Sequence, residues 1–268
     1  MGAGSLAYLE SVSGGNPVIT ALVMSTLAAV LTGLGGFGVL LIHGPTSRRE
    51  RLAPVIDLGL GFSSGVMIVA AFTSLLLPAI ESSGVGKPLA GFVLGAVVIH
   101  LVNELVPHEH FVKGFEGPER ARTKVKAAWL VALAIIIHNL PEGLSIGAAS
   151  AYSVRDGIVI GLAIGIQDIP EGLAVAIPVY ATSGSLARAL AISWMSGASE
   201  ILTAVPAALV GYSPVLLPVA MGFGAGAMIY VVSHEAIPET HRSGHEGKAT
   251  LAFFTGFIVM LVLDTMLG

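Results

Sequence analysis

Two stretches of the sequence, IIIHNLPEGL at 135–144 and IGIQDIPEGL at 164–173, repeat one pattern inside long apolar segments. Each repeat places imidazole, amide or carboxylate side chains immediately before a Pro-Glu-Gly tripeptide. An ionisable side chain is costly at the centre of a lipid bilayer, so such groups within membrane segments usually serve a function. The repeat therefore predicts a site for the binding or passage of cations within a membrane protein.

The composition of the chain predicts a membrane protein rather than a soluble domain. Of the 268 residues, 54% are hydrophobic and 11% are charged, whereas about 25% are charged in an ordinary soluble domain. Each of eight apolar stretches approaches the ~20 residues that a helix needs to cross the hydrocarbon. Because a β-barrel would need short alternating segments, we predict an all-α, polytopic membrane helical bundle that forms a single transmembrane transporter domain over 1–268. The eight transmembrane helices are predicted at about 17–42, 54–80, 88–107, 127–150, 157–181, 187–210, 213–233 and 249–267.

The distribution of basic residues predicts that both the N- and C-termini lie outside. With that orientation, eleven of the thirteen Lys and Arg residues fall in cytoplasmic connections, as the positive-inside rule requires. Only Lys87 and Arg155 fall in outer connections. The cytoplasmic set comprises Arg48, Arg49, Arg51, Lys113, Arg120, Arg122, Lys124, Lys126, Arg188, Arg242 and Lys248.

Both repeats gather potential metal ligands on one face of a helix. In the first repeat, His138 and Asn139 lie four and three positions before Glu142, and the second repeat has the same spacing. The proline in each repeat is expected to bend or open its helix, and the glycine that follows favours the same distortion. Both repeats should lie near the bilayer midplane on neighbouring spans of opposite direction. We therefore predict pseudo-two-fold symmetry in the membrane plane.

A further carboxylate, Glu200 in the stretch SGASE at 196–200, is expected at a similar depth in the sixth span. Glu142, Asp168, Glu171 and Glu200 together carry four negative charges, which would balance two divalent cations. Carboxylate, amide and imidazole ligands suit Zn²⁺, Fe²⁺ and Mn²⁺, and the affinity order alone does not choose among these ions. A single buried His or Asn commonly serves as an interhelical hydrogen-bonding group, but that role does not explain a repeated pattern.

The phrases HNLPEG, QDIPEG and SGASE, in this order, resemble the ZIP family (Zrt-/Irt-like proteins) of divalent metal transporters, and within it the short prokaryotic GufA-like branch. The resemblance extends over essentially the whole chain. It implies movement of zinc, and often iron, manganese or cadmium, into the cytoplasm across the cell (inner) membrane by alternating access, without ATP and without enzymatic activity. It also implies a binuclear site in which Glu142 and Glu171 bridge two ions. One ion would be held by His138, Glu142, Gln167 and Glu171, with Met67 as an additional ligand, and the other by Asn139, Glu142, Asp168, Glu171 and Glu200.

Residues near the span ends are similar to the family's pathway positions. The predicted entrance pathway consists of Ser74, Glu81 and Asp264, although interfacial charges at helix ends explain the same pattern. The predicted cytoplasmic exit consists of His234, Glu235, His241 and His245, for which simple solvation is the alternative. The stripe formed by His100, Glu104 and His108 is interpreted as a polar helix end facing the cytoplasm rather than a metal station, and Asp57 as an acid in a first helical turn.

Two other functions share features with a carrier. An intramembrane metal-dependent hydrolase would use a metal with an open coordination position, but the usual HExxH signature does not occur. A selective metal channel has the same sequence features as a carrier. The expected partners are divalent metal ions, with zinc as the leading transported substrate, and the lipid bilayer. No nucleic acid is expected, and a homodimer is left open.

Overall fold

The computed structural model describes residues 10–42, 47–110, 114–118, 127–241 and 244–267. These residues form eight long helical rods, which confirms the all-α prediction. The rods are α1 (Pro17–Gly36, followed by a 3-10 segment at Phe37–Ile42), α2 (Ser47–Val69, continued through Ala70–Leu76 to Leu77–Ser83), α3 (Gly86–Leu105), α4 (Ala127–Tyr152), α5 (Val154–Ser183), α6 (Leu186–Val210), α7 (Leu217–Val231, continued through Val232–Ala236 to Ile237–Thr240) and α8 (Glu246–Leu267).

Six of the rods are long and apolar enough to cross a membrane, judged by the length and composition of the described residues. They are α1, α2, α3, α5, α7 and α8. The other two, α4 and α6, are 26 and 25 residues long and carry the first repeat and Glu200. One small departure from the all-α prediction occurs after α3, where β1 (His108–His110) pairs antiparallel with β2 (Gly114–Glu116). This connection satisfies backbone hydrogen bonds locally without adding a helix.

Short polar segments set the helix ends. The Asn16 side chain accepts hydrogen bonds from the backbone of Val18 and Ile19 at 2.9 and 3.3 Å, and Pro17 occupies the first position of α1. The side chains of Ser153 and Ser185 cap α5 and α6 in the same way. Such caps satisfy backbone N–H groups that the helix leaves without partners, so the polar breaks between apolar runs fix where each rod begins.

The expected opening of α4 and α5 at their prolines is wrong. Both helices continue through Pro141 and Pro170. Each proline removes only one backbone hydrogen bond, and neighbouring helices and hydroxyl side chains can support the chain there. The irregular turns lie elsewhere, in π-helical segments at Ala70–Leu76 of α2 and Val232–Ala236 of α7.

The rods pack as two groups of four. In the group called here the motif group, α1 packs extensively on α5 and α6, and α4 packs on α6. In the flanking group, α3 packs on α7 and α2 packs on α8. The two groups meet mainly where α2 contacts α5 and where α4 contacts α7. The helices that carry both repeats and Glu200 therefore all belong to the motif group.

Glycines bring helix backbones together inside each group. In the flanking group, a Cβ atom added at Gly226 of α7 would lie 2.0 Å from the carbonyl oxygen of Phe92, and one added at Gly95 of α3 would lie 2.1 Å from that of Phe223. Lipid supplies no hydrophobic driving force between helices, so close backbone approach at small residues stabilises such pairs. Only glycine leaves room for this approach.

Candidate metal centre

The two repeats and Glu200 form two adjoining groups of potential metal ligands. One group consists of His138, Glu142 and Glu171, and the other of Glu142, Asp168 and Glu200. Within each group the ligand atoms all lie within 4.8 Å of one another. Atoms bound to one Zn²⁺ at about 2.0–2.2 Å lie at most about 4.4 Å apart, so small side-chain movements suffice to close either group around an ion. Glu142 belongs to both groups.

The glycine in each repeat determines how closely the neighbouring helix approaches. A Cβ atom at Gly143 would lie 2.1 Å from the carbonyl oxygen of Glu200, and one at Gly172 would lie 1.8 Å from that of Thr32. The backbone of α6 therefore touches α4 one residue after Glu142, and α1 touches α5 in the equivalent place. The glycines serve close packing rather than local distortion of the helix, and this packing carries Glu200 to the site.

Amide side chains link the carboxylates. Gln167 Nε2 donates to Glu142 Oε1 at 2.5 Å, and Asn139 Nδ2 donates to Glu200 Oε1 at 3.3 Å. The Gln167 amide of the second repeat thus contacts the Glu142 carboxylate of the first. These contacts fix the orientation of both carboxylates without any positively charged side chain.

Several oxygen atoms of the site point into the protein without a hydrogen-bond donor. Glu142, Gln167 and Glu200 are fully buried, and neither Glu142 Oε2 nor Gln167 Oε1 has a hydrogen-bond partner among the described residues. Buried acceptors normally find a partner, and a buried carboxylate without one is costly. A bound divalent cation would satisfy these oxygens, so the arrangement is chemically suited to metal binding.

Two polar residues next to the site were missed by the sequence analysis. Ser63 Oγ of α2 donates to Glu171 Oε1, and Asn103 Nδ2 of α3 donates to Glu235 Oε1 at 2.8 Å. Both side chains are buried. A serine in the small-residue stretch GFSSG at 61–65 gives little signal in a sequence. Asn103 does give a signal, because it is an amide within an apolar helix.

The stripe of His100, Glu104 and His108 divides between two environments. His100 and Glu104 are exposed, as expected for a polar helix end, while the adjacent Asn103 points inward. His108 is buried, with its Nδ1 atom 2.7 Å from the carbonyl oxygen of Val106. Met67, the predicted additional ligand, is fully buried on α2 within the main apolar core, and its metal contact stays a prediction.

Two of the three predicted entrance residues contact each other. Ser74 Oγ donates to Asp264 Oδ1 at 2.8 Å, joining the π-helical segment of α2 to α8. Glu81 is exposed near the end of the same rod. The structure thus places Ser74 and Asp264 together and leaves Glu81 facing outward.

The predicted exit residues occupy separate places. Glu235 is buried beside the first ligand group, with Oε2 3.4 Å from Nδ1 of His138. The His234 ring lies 5.1 Å from that of Tyr230, and His241 Nδ1 lies 2.9 Å from the carbonyl oxygen of Ile237. Among the described residues, none of the three exit histidines belongs to a ligand group with two other metal-binding side chains.

His245 forms a contact that corrects the prediction for Asp57. His245 Nδ1 lies 2.9 Å from Asp57 Oδ2, and Asp57 is almost fully buried. Because α2 begins at Ser47, Asp57 does not lie in a first helical turn. Its carboxylate instead ties α2 to the segment that precedes α8.

Comparisons with known proteins agree over nearly the whole chain. A family profile described as "ZIP Zinc transporter" matches residues 113–264. The zinc transporter ZIPB of Bordetella bronchiseptica is 43% identical over 258 residues, which cover 90% of this chain and 81% of that protein. The zinc transporter GufA of Myxococcus xanthus is 40% identical over 260 residues, covering 92% and 98%. The zinc transporter ZupT of Akkermansia muciniphila is 33% identical over 267 residues, covering 92% and 97%.

Proposed function

We propose that this chain, which belongs to the ZIP family of zinc transporters, carries zinc or a related divalent cation into the cytoplasm across the cell (inner) membrane. Its family membership confirms the resemblance predicted from the two repeats, and its several long apolar helices make it a multi-pass membrane protein. The observation that carries the proposal is the pair of buried ligand groups that share Glu142. A site of this kind, buried within a membrane bundle, suits a transported cation.

In this proposal all eight rods cross the bilayer as one domain, with both termini outside. The packing pattern supports a pseudo-two-fold axis in the membrane plane. Exchanging α1 with α6, α2 with α7, α3 with α8 and α4 with α5 leaves the main helix pairs unchanged. If every rod crosses the bilayer, the exchanged helices run in opposite directions, as an inverted repeat requires. The π-helical segments of α2 and α7 are also exchanged by this operation.

The site would hold two ions. The first would bind His138, Glu142 and Glu171, with Gln167 Oε1 and Met67 completing its coordination. The second would bind Asp168 and Glu200 together with Glu142, which bridges the ions. Asn139 and a second bridge from Glu171 would complete it. Four carboxylates balance the charge of two divalent cations, which supports this stoichiometry.

Transport would proceed by movement of the motif group against the flanking group. Every described helix glycine whose added Cβ would lie within 2.4 Å of a carbonyl oxygen packs on a helix of its own group. Between the groups, the atoms nearest to an added Cβ belong to side chains, that of Pro170 at Gly59 and those of Leu144 and Ser145 at Gly224. Backbone contact therefore holds each group together, while the boundary consists of side chains that can exchange neighbours. Such a boundary suits alternating access.

Uptake of Zn²⁺ into proteoliposomes containing the purified chain tests the function. We expect uptake that saturates with Zn²⁺ concentration and that Glu142→Ala abolishes. Glu104→Ala, at an exposed carboxylate that belongs to neither ligand group, serves as the control and should retain uptake. Wild-type vesicles that take up no divalent cation would overturn the proposal. Uptake that rises linearly without saturation would instead indicate a channel.

A further inference from the structure

We propose that Asn103 and Glu235 form a hydrogen-bonded chain that orients the His138 ring for metal binding, so that both act as positioning residues of the first ligand group. This inference rests on the proposed function, because it assigns His138 to a transported cation. It gives Glu235 a different role from the exit ligand expected from sequence. It gives Asn103 a role that the sequence did not suggest.

The hydrogen-bonded chain connects three helices through the carboxylate of Glu235. Asn103 Nδ2 of α3 donates to Glu235 Oε1 at 2.8 Å, and His138 Nδ1 of α4 lies 3.4 Å from Glu235 Oε2, where a hydrogen atom on Nδ1 would be donated to this oxygen. Each carboxylate oxygen therefore has its own donor. Asn103 and Glu235 are almost fully buried, so water does not compete strongly for either hydrogen bond.

The consequence concerns which ring nitrogen of His138 is free. A hydrogen atom on Nδ1, held by Glu235, leaves the lone pair on Nε2 available for a metal ion. Histidines that bind metals commonly donate their other ring N–H to a carboxylate, which fixes the ring and raises its basicity as a ligand. Glu142 and Glu171 complete the ligand group, and Glu235 is not part of it.

The π-helical segment at Val232–Ala236 delivers the carboxylate to this position. Glu235 lies within the segment and is buried, whereas the adjacent Ser233 is exposed and His234 is half-buried. Segments of π-helix occur frequently at functional sites because they alter which side chains face inward. Here the inward side chain meets both partners.

The chain also crosses the boundary between the two helix groups. His138 belongs to the motif group, while Asn103 and Glu235 belong to the flanking group. A relative movement of one helical turn, ~5.4 Å, would separate Nδ1 of His138 from its acceptor. The ring is therefore oriented for binding only in this arrangement, and the same movement that carries the site would weaken its hold on the first ion.

Nuclear magnetic resonance of the metal-free protein in detergent shows directly which ring nitrogen of His138 bears the hydrogen. In protein labelled with ¹⁵N-histidine, two-bond ¹H–¹⁵N correlations report which nitrogen bears the hydrogen, and His138→Gln identifies the signal. We expect hydrogen on Nδ1 in the wild type and a shift of population to Nε2 in Glu235→Ala, with a smaller shift in Asn103→Leu. The control Glu104→Ala should not change the signal. Hydrogen on Nε2 in the wild type, or no change in Glu235→Ala, would overturn the inference.

Zinc titrations separate positioning from direct ligation. We expect Glu235→Ala and Asn103→Leu to lower the affinity for the first ion about 10- to 100-fold and to leave the affinity for the second ion unchanged. Substitutions of residues that hydrogen-bond to metal-binding histidines typically have effects of this size. Glu235→Gln should keep most of the affinity and the wild-type ring signal, because its amide oxygen can accept from His138 while the Asn103 amide reverses. A loss in Glu235→Gln as large as that in Glu235→Ala would indicate a carboxylate ligand and overturn the positioning role. Wild-type protein that binds no zinc would refute the proposed function, whereas the metal-free ring signal tests the hydrogen-bonded chain by itself.

Discussion

The helices of the motif group and those of the flanking group pack through glycines in the same way, but the two groups surround different side chains. In both, glycines bring a helix backbone against a carbonyl oxygen of a neighbour in the same group. The motif group encloses Glu142, Asp168 and Glu200, whereas the flanking group contributes Ser63 where it meets the motif group. Helix association and the grouping of potential ligands therefore depend on different residues of this bundle. Substitutions in the two groups should affect different measurements.

The largest effect is expected from Glu142→Ala in the motif group. Because Glu142 belongs to both ligand groups, its removal should eliminate both ions and all zinc uptake, measured by elemental analysis of purified protein and by flux. Thermal stability of the metal-free protein should be maintained, because the substitution relieves a buried carboxylate. Retention of either ion at wild-type occupancy would contradict the assignment of Glu142 to both groups.

Glu200→Ala should separate the two ions of the site in their effect on metal content. The carboxylate belongs to the second ligand group only, so one ion should be lost while the ion bound by His138 is retained. Elemental analysis should fall from two metal ions to one per chain, and transport should decrease without the complete loss expected at Glu142. Loss of both ions would indicate that the two groups bind metal as one unit.

Gly226→Ala tests the flanking group. The added Cβ would lie 2.0 Å from the carbonyl oxygen of Phe92, so α3 and α7 must separate, at a cost of about 1–3 kcal/mol for an overpacked contact. We expect a lower melting temperature with zinc stoichiometry unchanged in the folded protein. Gly224→Ala on the same helix is the matched control, since its nearest neighbour is the Leu144 side chain at 3.0 Å. Equal destabilisation by the two variants would remove the distinction between contacts within and between the groups.

The smallest effect is expected at the boundary, from Ser63→Ala. Loss of its hydrogen bond to Glu171 should weaken binding of the first ion by roughly 0.5–1.5 kcal/mol, which is about 2- to 13-fold in affinity, measured by zinc titration. The matched control is Ser64→Ala, because Ser64 Oγ donates to Leu60 within its own helix. An unchanged affinity in Ser63→Ala would show that this hydrogen bond does not support the site.

The helices and the two groups of potential ligands could be predicted from the sequence because both depend largely on local pattern. Apolar run length places the ends of α1 and α8 within a few residues of those observed, and helical spacing brings His138 and Glu142 together. The continuity of α5 through Pro170 and the position of Glu235 could not be predicted in this way. Both depend on neighbouring helices that are distant in sequence, as does the contact that orients Asn103.

Many of the thirty-four glycines lie where two helix backbones pack closely. Gly143 and Gly172, however, were expected to loosen the repeats, and instead admit the backbones of α6 and α1. The sequence shows where a side chain is absent, but it does not show which helix packs into the space.

The π-helical segment of α2 makes the length of this rod as important as its composition. A π turn holds about one residue more than an α turn, and each α-helical residue advances the chain by about 100° around the axis. Deleting one residue from 70–76 would therefore let the segment close into a regular α-helix while the residues on either side keep their directions. The same deletion in a regular stretch of α2 would instead turn every residue beyond it by about 100°. Ser74 lies within the segment, so closing it would move this side chain relative to Asp264 of α8 and leave the rest of the rod in place.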